Sequence, residues 1–90
     1  MITNAAFTLS NTVRQQVVNP STMPQEVHLH NQNKSSNNYI YIGNSGVTLT
    51  NSIHLDPGES KVLHLMPGDS LHALSDPNGL TLGVLTIRQD

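Results

Sequence analysis

Asp56-Pro57-Gly58-Glu59-Ser60, Met66-Pro67-Gly68-Asp69-Ser70 and Asp76-Pro77-Asn78-Gly79 set a proline every ten residues, at 57, 67 and 77. Proline presets φ for the second residue of a tight turn, and glycine supplies the positive φ that a type II turn needs at the third. The first two stretches are therefore turns by mechanism, and Asn78-Gly79 makes the third a related one. The spacing leaves about six residues between turns, the modal length of a strand. An antiparallel meander or a sandwich is the expected result.

Outward from the turns, the intervening residues alternate. Lys61, Leu63 and Leu65 share one face, and Val62, His64 and Met66 the other. Leu80, Leu82 and Val84 alternate with Thr81, Gly83 and Leu85 in the same way. A period of two belongs to a half-buried strand, and no helical period competes with it. Tyr39-Ile40-Tyr41-Ile42-Gly43 is rich in strand formers and stops at Asn44-Ser45-Gly46, after which Val47-Thr48-Leu49-Thr50 reads as another strand, with Ile53 and Leu55 continuing its pattern. Glu26-Val27-His28-Leu29-His30-Asn31 alternates strictly, and Thr12 to Val18 gives a strand ending at Asn19-Pro20. Between two of these strands, Asn31 to Asn38 is an almost wholly polar loop, expected to be the most mobile excursion. The expected class is all-β: a small antiparallel β-sandwich or barrel of about seven to eight strands, since each alternating strand must cover its apolar face.

Ninety residues form one domain, 1–90, with 1–18 either an N-terminal arm or its first strand. A domain of this size buries only about two thirds of its unfolded surface, so its stability margin is thin. With no cysteine, neither disulfides nor thiolate metal sites can widen it, and association with other subunits is the remaining supplement. Four scattered basic residues, Arg14, Lys34, Lys61 and Arg88, against six acids give no footprint for nucleic acid. Residues 1–10 lack the basic start and apolar core of a secretory signal, and no apolar run approaches the roughly twenty residues that span a bilayer, so no membrane partner is expected. The polar surface is instead Asn, Ser, Thr and Gln, which suits static contacts between proteins.

Catalysis has little support in these residues. There is no cysteine nucleophile, no Gly-x-Ser-x-Gly elbow and no phosphate-cradling glycine loop, and the expectation is no catalytic residue, no cofactor and no enzyme. The acid pairs Asp56 with Glu59 and Asp69 with Asp76 lie in turns, where such residues are ordinary. Histidine is the one enriched reactive residue, at 28, 30, 54, 64 and 72. His28 and His30 lie two apart on one strand face, a spacing able to share a metal with ligands from another strand or chain. The plainer reading makes them solvent-facing positions opposite Val27 and Leu29, and no metal is expected. His64 and His72 read as half-buried packing residues with backbone partners for their ring nitrogens. Tyr39 and Tyr41 share a face, and with Asn31 and Asn33 of the polar loop they are the candidate interface residues.

The order Asn38-Tyr39-Ile40-Tyr41-Ile42-Gly43, Val47-Thr48, Leu55-Asp56-Pro57-Gly58-Glu59-Ser60, Asp69-Ser70-Leu71-His72-Ala73-Leu74-Ser75, then Leu82 to Ile87, resembles the small β-sandwich decoration, or cement, proteins of tailed bacteriophage capsids. The resemblance covers residues 26–88 and rests on the order of the motifs more than on any one of them. It implies a virion protein that binds the outer face of the shell, commonly as a homotrimer. Its partner would be the major capsid protein, and it would reinforce contacts between coat subunits. Two other classes stay open: a different phage structural domain (tail, adaptor or fibre-associated), and a module binding a glycan or host surface through the Asn31–Asn38 loop with Tyr39 and Tyr41.

Overall fold

The computed structural model describes residues 1–88, and these contain eight strands and no helix. The strands are β1 (Ile2–Thr8), β2 (Gln15–Val18), β3 (Gln25–Asn31), β4 (Tyr39–Gly43), β5 (Ile53–Leu55), β6 (Ser60–Leu65), β7 (Leu71–Asp76) and β8 (Thr81–Arg88). They form two four-stranded antiparallel sheets, β1-β8-β3-β6 (sheet A) and β2-β7-β4-β5 (sheet B). This is an eight-stranded sandwich in jelly-roll order.

The meander expectation is corrected by that order. None of the three proline turns joins neighbouring strands: β5 to β6, β6 to β7 and β7 to β8 each step from one sheet to the other. The turn chemistry itself is as the residues dictate. Gly58 and Gly68 have φ of 76° and 88°, and the bonds from Glu59 N–H to Asp56 O (2.9 Å) and from Asp69 N–H to Met66 O (3.0 Å) close both turns. Glu59 and Asp69 also accept the N–H groups of Asp56 and Met66, at 2.7 and 3.0 Å, so these carboxylates are turn caps. The third turn is held differently, by Gly79 N–H on Leu9 O (2.8 Å) and Ser75 Oγ on Pro77 O (2.9 Å).

Alternation predicts the buried faces well. Gln25, Val27, Leu29 and Asn31 point inward from β3, and Leu82, Val84 and Thr86 do so from the paired β8. Ile40 and Ile42 of β4 and Leu71, Ala73 and Ser75 of β7 face them from sheet B. The inter-sheet core joins these apolar residues to Leu9, Val17, Val18, Leu55, Leu65 and Leu80. Two expected strands change. The segment 12–18 is a strand only from Gln15, and 47–50 is not a strand: Val47 is buried while Leu49 is exposed. The reason lies at Gly43, where a Cβ would stand 3.3 Å from Val47, so the loop after β4 turns back onto the outer face of sheet B. Val47 and Leu74 are buried there, apart from the inter-sheet core. Arg14 Nη1 ties the start of β2 to the same loop by donating to Ser45 O at 2.6 Å.

Residues 1–18 form β1, the short loop after it and β2, so the first residues are a strand of the domain itself. β1 pairs with β8 along its whole length, from Ile2 opposite Ile87 to Thr8 opposite Thr81.

Candidate functional site

Asn31 and Asn33 occupy places that the polar loop does not suggest. Asn31 is fully buried, and its side-chain amide donates to the carbonyls of Asn38 (2.9 Å), Asp56 (3.1 Å) and Leu55 (3.3 Å). Its Oδ1 accepts from the Asn33 backbone and side chain at 3.1 and 3.0 Å, and Asn33 Nδ2 continues to Thr81 O at 2.9 Å. The pair therefore pins the ends of β3, β4, β5 and β8 together. Asn31 as an interface residue is corrected: a side chain spent on internal carbonyls presents nothing to a partner. Asn33, half-buried, serves the same internal network.

Sheet A turns an outer face of mixed character to solvent. Register places Ile2, Ile87, Glu26 and His64 in one row and Asn4, Leu85, His28 and Val62 in the next. His28 Nε2 meets Glu26 Oε2 at 2.7 Å, and His30 Nδ1 meets Ser60 Oγ at 2.8 Å. Both imidazoles are thus half-exposed and opposite Val27 and Leu29, and each is engaged by a neighbour on its own sheet. Among the described residues no three His, Asp, Glu or Cys side chains are grouped to hold a metal ion. His64 is exposed rather than half-buried, and His72 is half-buried with Nδ1 enclosed and without a hydrogen-bond partner, so neither follows the sequence expectation in full.

Tyr39 and Tyr41 do share a face, the outer face of sheet B, and both are half-buried. His54 of β5 stands opposite Tyr41 and draws the two rings into one cluster. Its ring is edge-on to Tyr39 at 5.5 Å and tilted to Tyr41 at 5.9 Å. His54 Nε2 lies 3.1 Å from Asp56 Oδ1. Sequence reasoning paired the two tyrosines but missed His54, because the register of a three-residue edge strand is set by tertiary pairing.

The edges of the two sheets are unequal. β5 has three residues, β2 has four with a shift in register between Gln16 and Val18, and β6 carries Lys61. Shortness, bulges and lysine are the usual ways of blunting an edge. β1, Ile-Thr-Asn-Ala-Ala-Phe-Thr, has seven residues with no charge, no proline and no shift of register. Arg88 N–H donates to Met1 O and Leu9 N–H to Leu80 O, so the odd-numbered residues of β1 bond to β8. By alternation, the N–H and C=O groups of Ile2, Asn4, Ala6 and Thr8 point away from the sheet. The inner face of β1 is also uncovered. Thr3 and Ala5 oppose the inward Thr86 and Val84 yet are exposed, above a cleft lined by Val17, Val18 and Gln25, because β2 is too short to cover them.

No protein-family model and no curated protein matches the sequence. Among solved structures, the fold is similar to a subunit of Bacillus endospore appendages, a family of disulfide-linked pili, with a TM-score of 0.64 and 17% identity over 98% of this chain and 83% of that one. It is more distantly similar to PliG of Aeromonas hydrophila, a periplasmic inhibitor of g-type lysozyme, with a TM-score of 0.43 and 12% identity over 99% and 85% of the two chains. At 17% identity the likeness to the pilus subunit is one of fold alone, along nearly the whole of this chain.

Proposed function

We propose that the chain is a non-enzymatic structural subunit that binds the outer surface of a phage capsid and stabilises contacts between coat subunits, engaging its neighbours through the free edge of β1. The observation that carries this reading is that edge: a regular, uncharged strand offering its outward backbone groups, in a sandwich whose other three edges are blunted. A strand added there by a neighbour gains main-chain hydrogen bonds and covers apolar surface at Ile2, which is 66% exposed. The motif order along residues 26–88 supports the capsid as the body to which it is added. Co-sedimentation with the cognate shell is the test. Binding at a fixed stoichiometry, with greater heat resistance of the shell, is expected, and a chain left wholly in the supernatant overturns the reading.

A second reading has one observation in its favour. A pilus subunit shares this fold, and an open strand at one side of the sandwich suits copies added to one another as well as it suits a coat protein. These ninety residues hold no cysteine, so such a fibre would be held without disulfides. Electron microscopy of the purified chain alone separates the two: filaments without any partner favour self-assembly, and discrete particles or monomers favour decoration.

A further inference from the structure

The aromatic cluster on the outer face of sheet B lies among groups of one kind. Tyr39 stands directly opposite Asp76 of β7, and Tyr41 opposite the buried Leu74, so Asp76 and Leu74 share the face of the two rings. On the other side of β4, His54 stands opposite Tyr41, and Asp56 follows two residues later with its carboxylate turned to the same side, 3.1 Å from His54 Nε2. Tyr39 is therefore bracketed by two exposed carboxylates, Asp56 and Asp76, over an apolar floor.

The two carboxylates and the faces of the rings give this ledge its negative character, and the tyrosine hydroxyls both donate and accept. A carboxylate only accepts hydrogen bonds, and the face of an aromatic ring is the negative end of its quadrupole. His54 Nε2 is already engaged by Asp56. Of the chain's own cations, Arg14 donates to Ser45 O, and the stem of Lys34 lies beside Gly58 in the turn that carries Asp56. A saccharide finds donors in the tyrosine hydroxyls but carries no charge to set against the two carboxylates. A planar cation with several N–H groups supplies both the charge and the donors that the carboxylates call for, stacking on a tyrosine with its edges turned to the acids on either side.

We propose that the Tyr39–Tyr41–His54 ledge, bracketed by Asp56 and Asp76, receives the guanidinium of an arginine presented by a partner protein. The proposal rests on the reading that this chain works in contact with other proteins, and it adds the chemistry of one such contact. It places that contact on sheet B, on the opposite layer from β1, so that a single subunit engages two neighbours through different physics: backbone pairing at one side and a charged stack at the other.

The chain has two tyrosines, 39 and 41, and no tryptophan, so its intrinsic emission reports on this ledge alone. Titration of the whole chain with a capped Gly-Arg-Gly peptide is expected to change tyrosine emission saturably. The citrulline counterpart, alike in shape but uncharged, is expected to bind at least about threefold more weakly. Asp56→Asn and Asp76→Asn, each shown to be folded by an unchanged thermal midpoint, are each expected to weaken the arginine peptide by about two- to fivefold. An equal response to citrulline, indifference to both substitutions, or a stronger response to a free monosaccharide such as galactose overturns the proposal. The titration involves no assembly, so its failure leaves the capsid reading standing, and failed co-sedimentation with a positive titration overturns the capsid reading and leaves the arginine ledge standing.

Discussion

The two flanks of this sandwich are built to different standards. Where β3 and β8 lie over β7 and β4, the inward side chains are fully buried and the strand ends are stitched by Asn31 and Asn33. Where β1 lies over β2, the inward Thr3 and Ala5 are wet, the layer opposite is four residues long, and the strand is held by its ladder and by Phe7 packed against the core. The difference teaches that stability and availability are separated in space. One flank holds the fold, while the other keeps a regular strand accessible and draws its share of the core from Leu9, Val17 and Val18, with Phe7 alone of β1 packed against it.

The contrast is broken most directly by truncating an isoleucine on each side. Ile40 is wholly buried in the core and Ile2 is 66% exposed on β1. Ile40→Ala is expected to cost about 3 kcal/mol, a fall in thermal midpoint of more than 10 °C by the ~4–8 °C per kcal/mol typical of domains this small. Ile2→Ala is expected to cost less than about 0.5 kcal/mol. Similar losses for both in thermal or urea unfolding would show that β1 carries as much of the core as β4 does.

Next in size is the stitch. Asn31→Ala takes the side-chain donor from the carbonyls of Leu55, Asp56 and Asn38, of which Asp56 O keeps the Glu59 N–H, and unties Asn33 from β3, and a loss of about 2–3 kcal/mol is expected. A change below about 1 kcal/mol would mean that solvent reaches these carbonyls and that the closed flank is less closed than its geometry implies. Smaller again is Gly68→Ala. Nothing lies within 4 Å of the added methyl, so the expected cost of about 1 kcal/mol is purely that of holding a side-chain-bearing residue at φ 88°. Unaltered urea unfolding would show that the turn changes shape rather than resisting.

What could be read from the residues follows the same division. The buried faces of β3, β4, β6 and β8 were legible because alternation is local, and the two Pro-Gly turns because φ preference is local too. Which strands the turns join was not. A type II turn is compatible with a neighbour in the same sheet or with a step across the sandwich, and only the closing of both layers over Leu29, Ile40, Ile42 and Leu82 selects the second. Val47-Thr48-Leu49-Thr50 has the pattern of a strand, but Gly43 leaves a space on the outer face that Val47 fills instead. Asn31 sits in a stretch of polar residues that differ from it only in where the chain carries them. The exposed half of the tyrosine ledge was legible in Tyr39 and Tyr41, whereas His54 and Asp76 joined it through pairing with distant strands.

A pair of substitutions within β1 tests the open flank itself. Ala5 and Ala6 are adjacent, exposed alanines of one strand whose backbone groups point opposite ways: Ala5 to β8, Ala6 to the free edge. Ala5→Pro removes a ladder bond and sets the ring against β8, so clear destabilisation by more than about 1 kcal/mol is expected. Ala6→Pro removes only an outward N–H. Its cost should stay within about 1 kcal/mol, the strain of fixing φ near −65° in an extended strand. Yet Ala6→Pro takes away a donor that any added strand must use and puts a ring in its path. If β1 is where neighbours attach, this folded variant loses co-sedimentation with the shell, or filament formation by the chain alone. A folded Ala6→Pro chain that assembles as the parent does would remove β1 from the contact and leave the outer faces of the two sheets to make it.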